Sequence, residues 1–171
     1  MCIRDSCSAT LINNTQNDQT PYLLTADHCG ISTRNDQSVV TYFNFQRSSC
    51  GGDDTNRDPQ QSRSGTRFLA GSPDSDFTLV RMTEAPDAAW NPFWAGWSIS
   101  TEAADSGAGV HHPSGDEKAI SLYSTPLVAE EFRDFFQTVA VWRVNWSAGT
   151  TEQGSSGSAI FDANGLSLIH I

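Results

Sequence analysis

The apolar residues of this 171-residue chain come only in short runs, rich in β-branched and aromatic side chains and ended by Gly, Asn, Asp, Ser or Pro. Punctuation of that kind predicts strands, and the chain reads as all-β. The predicted strands are 8–13, 21–25, 39–45, 66–70, 77–83, 93–98, 108–112, 119–123, 139–146 and 158–161. In the segment 139–146, Ala140, Trp142, Val144 and Trp146 fall on one apolar face, with Arg143 and Asn145 turned to water. The stretch 128–136 carries Glu130, Glu131, Arg133 and Asp134 and predicts a helical turn. No internal repeat is present, and no apolar run approaches the roughly 18 residues of a membrane-spanning helix.

The two ends read as foreign. Met1 to Ser6 and Leu166 to Ile171 are what the two strands of one transposase sequencing adapter encode. Residues 1–6 and 166–171, with Cys2 and His170, are therefore set aside from the fold argument. Residues 7–165 are taken as native, and both natural termini are expected to lie outside the chain.

Formal net charge is −10, from 20 acidic and 10 basic residues. This argues against nucleic acid or an anionic membrane as partner and suits a cationic substrate, although solubility is its simpler consequence. The polar stretch 48–65 has almost nothing to bury and predicts a surface loop. The proline-bearing stretch 84–92 predicts the joint between two halves, 7–86 and 87–165.

Three places carry chemistry. The first is Leu24-Thr-Ala-Asp-His-Cys-Gly30, which ends an apolar strand on His28; a lone histidine is more often structural than catalytic. The second is Glu152-Gln-Gly-Ser-Ser-Gly-Ser-Ala159, which alone reads as a flexible turn. It lacks the glycine that an α/β-hydrolase elbow needs at Ser158. The third is Ser75-Asp-Phe-Thr-Leu-Val80, where Asp76 opens an apolar strand and Asp74 stands nearby as an alternative acid. With Cys2 set aside, Cys7, Cys29 and Cys50 remain, an odd number that implies a partner elsewhere.

Together these motifs, in the order His28, Asp76, Ser156, resemble the trypsin-like serine proteases. Four further stretches resemble the bacterial lysyl endopeptidases in particular: Leu11-Ile-Asn-Asn-Thr15, Tyr22-Leu-Leu-Thr-Ala26, Phe93-Trp-Ala-Gly-Trp97 and His111-His-Pro-Ser-Gly115. The resemblance implies two six-stranded antiparallel β-barrels, the second incomplete in this chain. It implies a secreted bacterial endopeptidase, monomeric, acting on protein or peptide substrates with neither cofactor nor metal. His28 is then the general base, Asp76 its orienting acid and Ser156 the nucleophile, with the amides of Gly154 and Ser156 as oxyanion donors. Cys7 pairs with Cys29, and Cys50 is unpaired in this chain because the resemblance places its partner in an N-terminal segment outside it. Cleavage after lysine also follows from the resemblance, which places the specificity acid downstream of this chain and so implies that the chain alone is inactive. Some relatives carry tryptophan after a Val-Ala pair where Glu130 stands here. Ser155 occupies the position at which animal trypsins use an aspartate to bind their new N-terminus, so that activation is not available. Adjacent His111 and His112 point to opposite faces of a strand and read as structural, and the tryptophans read as core. The rival readings are an inactive homologue serving as a binding module and an esterase on the same fold.

Overall fold

The computed structural model describes residues 6–52, 55, 56, 60–133 and 138–168. Cys2, Asp134, His170 and most of the residues read as adapter-derived lie outside them. The described residues form strands joined by turns and short 3-10 segments, without an α-helix, and no helix is long and apolar enough to cross a membrane.

One sheet is built from the first half of the chain. It contains β1 (Thr10–Ile12), β2 (Tyr22–Thr25), β7 (Thr66–Ser72) and β8 (Phe77–Met82), in the antiparallel order β1-β2-β8-β7. Between β2 and β7 the chain forms β3 (Val40–Tyr42), β4 (Gln46–Arg47), β5 (Thr55–Asn56) and β6 (Ser62–Ser64). These pair as two ribbons, β3 with β6 and β4 with β5. The stretch 48–65 is thus not all loop, as its composition suggested. Its strands are two or three residues long and held by backbone pairing, which leaves no hydrophobic pattern to read.

Register explains the core. Leu11 faces Leu23 and Leu23 faces Val80 across the ladder, and these residues with Met82 form a buried cluster against which Ile31, Phe43 and Trp94 pack. Burying each such side chain contributes on the order of 1.5–3 kcal/mol.

The second half supplies β9 (Trp97–Ser98), β10 (Gly107–His111), β11 (Ala119–Tyr123), β12 (Val128–Arg133), β13 (Thr138–Arg143), β14 (Ala159–Asp162) and β15 (Ser167–Leu168). The sheet order is β11-β10-β14-β15-β9, with β12 and β13 a separate hairpin. Ser167 and Leu168, inside the segment read as adapter-derived, make β15, and Ser167 N–H donates to Gly96 O at 2.8 Å. Only 97–98 of the expected strand 93–98 is regular. Its neighbour Ala95 instead bonds to the edge of the first sheet, Ala95 N to Leu11 O at 2.8 Å, so this segment ties the two sheets together.

Three expectations need correction. Both sheets are open, not closed into six-stranded barrels: β1 and β7 form the edges of the first, β11 and β9 those of the second. The described part of 128–136 is extended, not helical. Glu131 and Arg133, two apart, pair at 2.9 Å on one face, which is strand spacing, and Glu130 reaches Arg143 on β13 at 3.3 Å. Cross-strand pairing with a β-branched partner strand outweighs the helix preference of Glu and Arg. Finally, Val139 is buried and Ala140 exposed, so the apolar face assigned to 139–146 does not hold at its start.

Candidate active site

The strand β2 ends at Thr25, and Ala26 continues extended into a single 3-10 turn, Asp27–Cys29, closed by Gly30 in the left-handed region at φ 78°. This turn lifts His28 clear of the sheet. Two covalent and polar ties fix it: the disulfide Cys7–Cys29, with Cα atoms 6.3 Å apart, and Thr25 Oγ1 donating to Ser8 O at 2.9 Å. Cys50 is free and exposed.

Strand β8 lies beside β2 with Thr78 opposite Thr25, so the residue just before β8 arrives next to the turn. That residue is Asp76. It caps the 3-10 segment Pro73–Ser75 with φ 48°, a left-handed conformation that Asp tolerates better than most residues. Its carboxylate accepts twice from His28, from the backbone N–H at 2.9 Å and from Nδ1–H at 2.7 Å. With Nδ1 donating, Nε2 of the neutral ring is left as acceptor, and Ser156 Oγ lies 2.7 Å from it. Asp74 stays exposed on the preceding turn, so the structure brings Asp76 rather than Asp74 to the histidine.

Ser156 sits on a turn whose glycines are required by space as well as by φ. Gly154 has φ 91°, and a Cβ there would stand 2.9 Å from both Gly115 N and His112 O. Gly157 has φ 82°, and a Cβ would stand 2.2 Å from Thr25 Oγ1 and 2.4 Å from Ser8 O. The loop is held from within by Ser155 N to Glu152 O at 3.0 Å and Ser158 N to Ser155 O at 3.1 Å. Among the described residues, no protein acceptor engages the amides of Gly154 and Ser156.

Ser8 is the residue that sequence reasoning missed. It is 2 % exposed and joins both halves of the site. Its N–H donates to Ser156 O at 2.9 Å, its Oγ donates to Gly154 O at 2.9 Å, and that Oγ accepts from His112 N at 2.9 Å. A small polar residue beside a cysteine gives no signal of this. A second clamp comes from the turn Pro113–Gly115, where Ser114, at φ 55°, donates through N to Gln153 O at 2.5 Å and through Oγ to Glu152 at 2.8 Å.

The adjacent histidines part as expected. His111 is buried between Ser155 and Ser121, and burial pushes its pKa below the ordinary value, partly offset by the Glu152 charge. His112 donates from Nδ1 to Asp116 O at 3.0 Å, and burial lowers its pKa too. Trp94 packs on the first core, Trp97 Nε1 donates to Asn13 O at 2.9 Å, and Trp146 meets Tyr123 edge-on over Gly109.

Several known proteins are similar to this chain. The chain is 28% identical over 162 residues to the lysyl endopeptidase of Pseudomonas aeruginosa, covering 93% of the chain but 34% of that relative. The chain therefore spans about a third of the length of that relative. Among solved structures, the inactive form of the Rv3671c protease superposes with a TM-score of 0.59 at 14% identity, over 94% of this chain and 68% of that one. The active form of the Mycobacterium tuberculosis Rv3671c protease gives 0.58 at 15% identity, over 94% and 60%. An HtrA-type protease, AlgW, with a decapeptide gives 0.53 at 14% identity, over 95% and 40%. At these identities the structural likeness speaks for the fold. The model of the lysyl endopeptidase C-terminal domain matches residues 3–169, nearly the whole chain, and the chain belongs to that family.

Proposed function

We propose that this chain carries the catalytic machinery of a secreted serine endopeptidase that cleaves protein or peptide substrates after lysine. The observation that carries the reading is the unbroken hydrogen-bonded line from Asp76 through His28 to Ser156. Two residues of that line stand at the end of the first sheet and the third precedes β14 in the second. This supports two halves, 7–86 and 87–165, with the reaction at their junction. Lysine specificity rests on family membership, and the acidic net charge favours a cationic substrate.

In the reaction, Ser156 Oγ attacks the scissile carbonyl carbon while His28 Nε2 takes the hydroxyl proton. Asp76 keeps the Nδ1–H in place and stabilises the imidazolium that forms. The carbonyl oxygen, now an oxyanion, is met by the N–H groups of Gly154 and Ser156. Each such donor is worth roughly 2.7–4 kcal/mol in the transition state. Collapse expels the amine, which receives the proton from His28. Water then adds to the acyl-enzyme with His28 again as base, releasing the acid and restoring Ser156.

Labelling of the full-length gene product with a fluorophosphonate, followed by peptide mass spectrometry, tests the assignment. The adduct is expected on Ser156, and His28→Ala should abolish it. An adduct on another serine, or one that forms equally without His28, would overturn it.

A further inference from the structure

One buried polar group near Ser156 has both its ring nitrogens engaged and is not used by the proposed reaction. His111, 1 % exposed at the end of β10, stands between two serine hydroxyls. Its Nε2 lies 3.0 Å from Ser121 Oγ on β11, and its Nδ1 lies 2.8 Å from Ser155 Oγ, next to the nucleophile.

Proton accounting gives this line a direction. Ser121 Oγ donates its only hydrogen to Thr150 O at 2.8 Å, so towards His111 it can only accept. His111 must then carry its proton on Nε2. Nδ1 of the neutral ring is left as acceptor, and Ser155 Oγ–H donates to it. Ser155 Oγ in turn accepts from Glu152 N–H at 3.1 Å. Every polar atom of the line is satisfied by a single neutral tautomer. A second proton, on Nδ1, would strip Ser155 of its acceptor and place a charge in a buried site, and moving the one proton to Nδ1 would leave Nε2 facing an oxygen with no hydrogen to give. The groups facing the ring bear on this: Glu152 on the nucleophile loop favours the charged form, while burial opposes it more strongly. The neighbouring His112, already committed to Asp116 O, is itself pushed towards neutrality by burial. Gly149, with φ 77°, makes the approach possible, since a Cβ there would stand 2.6 Å from Ser121 Oγ.

We propose that His111 is a positioning residue that anchors the nucleophile loop through Ser155. It takes the place of the ion pair for which Ser155 lacks the charge. The peptide joining Ser155 to Ser156 carries one of the two oxyanion donors, so fixing the Ser155 side chain fixes the direction of that N–H. The loop is thereby held ready without any proteolytically released terminus. This inference rests on Ser156 being the nucleophile.

The test uses the full-length gene product. Nitrogen-15 NMR of labelled histidine should show His111 protonated on Nε2 and bare on Nδ1 at neutral pH, with the Nδ1 resonance moving in Ser155→Ala. An Nδ1–H tautomer, or a resonance indifferent to Ser155→Ala, overturns the proposal whatever the activity. In kinetics, His111→Leu and Ser155→Ala should each lower kcat by about tenfold or more, with KM changed less than about threefold. The double variant should be no slower than the slower single, because both remove one link. Multiplying losses would overturn the coupling. If His111→Leu does not fold, Ser155→Ala with the NMR readout still decides. Full kcat in Ser155→Ala beside a dead Ser156→Ala would defeat the positioning role alone, whereas an active Ser156→Ala would defeat the reading beneath it.

Discussion

Gly157 lies against Thr25 with no room for a side chain, since a Cβ on Gly157 would stand 2.2 Å from Thr25 Oγ1. The end of β2, which delivers His28, and the turn that delivers Ser156 therefore touch backbone to side chain. The 2.7 Å contact between His28 and Ser156 depends on that closeness. Gly157→Ala should accordingly separate the two. The substitution meets a left-handed φ as well as a clash, so a stability loss of about 1–3 kcal/mol and a fall in kcat of at least about tenfold are expected. Chemical denaturation and steady-state kinetics on the full-length protein check both. An unchanged kcat in the Gly157→Ala variant would show that the approach is not needed.

Asp76 and Asp74 separate cleanly by substitution. Asp76→Asn keeps the shape of the side chain but no longer demands Nδ1–H of His28, and the wrong tautomer leaves Nε2 unable to accept from Ser156. A loss of about four orders of magnitude in kcat is expected, with Asp74→Asn close to the wild type. Equal losses in both would remove Asp76 from its assigned role.

The bond between Cys7 and Cys29 spans 22 residues and tethers the His28 turn to the segment holding Ser8. Replacing both cysteines by alanine should lower stability by about 3 kcal/mol. Alkylation of this 171-residue chain without reduction, read by peptide mapping, should modify Cys50 and neither Cys7 nor Cys29. A Cys29–Cys50 link would contradict the geometry around His28.

Burial holds the pKa values of His111 and His112 below the ordinary histidine value of 6.5. The unfolded chain therefore binds protons between the folded and unfolded pKa values while the folded chain does not, and stability rises with pH across that window. The thermal midpoint should be flat above about pH 7 and should fall as the pH drops below about 6.5. The slope should be shallower in His111→Gln. A midpoint that rises on acidification through this range would contradict the neutral, buried assignment.

How much of this could be read from the chain alone depended on whether the information was local. His28, Asp76 and Ser156 each sit in a short motif whose residues also make the local turn, so Gly30, Gly154 and Gly157 announce the turns that the side chains need. The strands around Leu11, Leu23 and Val80 were equally legible, because their apolar residues face one core. Ser8 was not, since its role comes from residues more than a hundred positions away, Gly154 and His112. Strands β4 to β6 were hidden because backbone pairing alone holds them. Strand β12 was misread because Glu130, Glu131 and Arg133 favour a helix in isolation, while the hairpin partner that overrules them lies beyond residue 137.

The most direct test of the account is the turnover of Ser156→Ala on a fluorogenic lysyl amide, set beside the wild type in the full-length gene product. The variant should fold with an unchanged far-ultraviolet spectrum and lose about four or more orders of magnitude in kcat, because the members of the line act as a unit. Turnover within about tenfold of the wild type would contradict the assignment of Ser156, and with it the reading of the site.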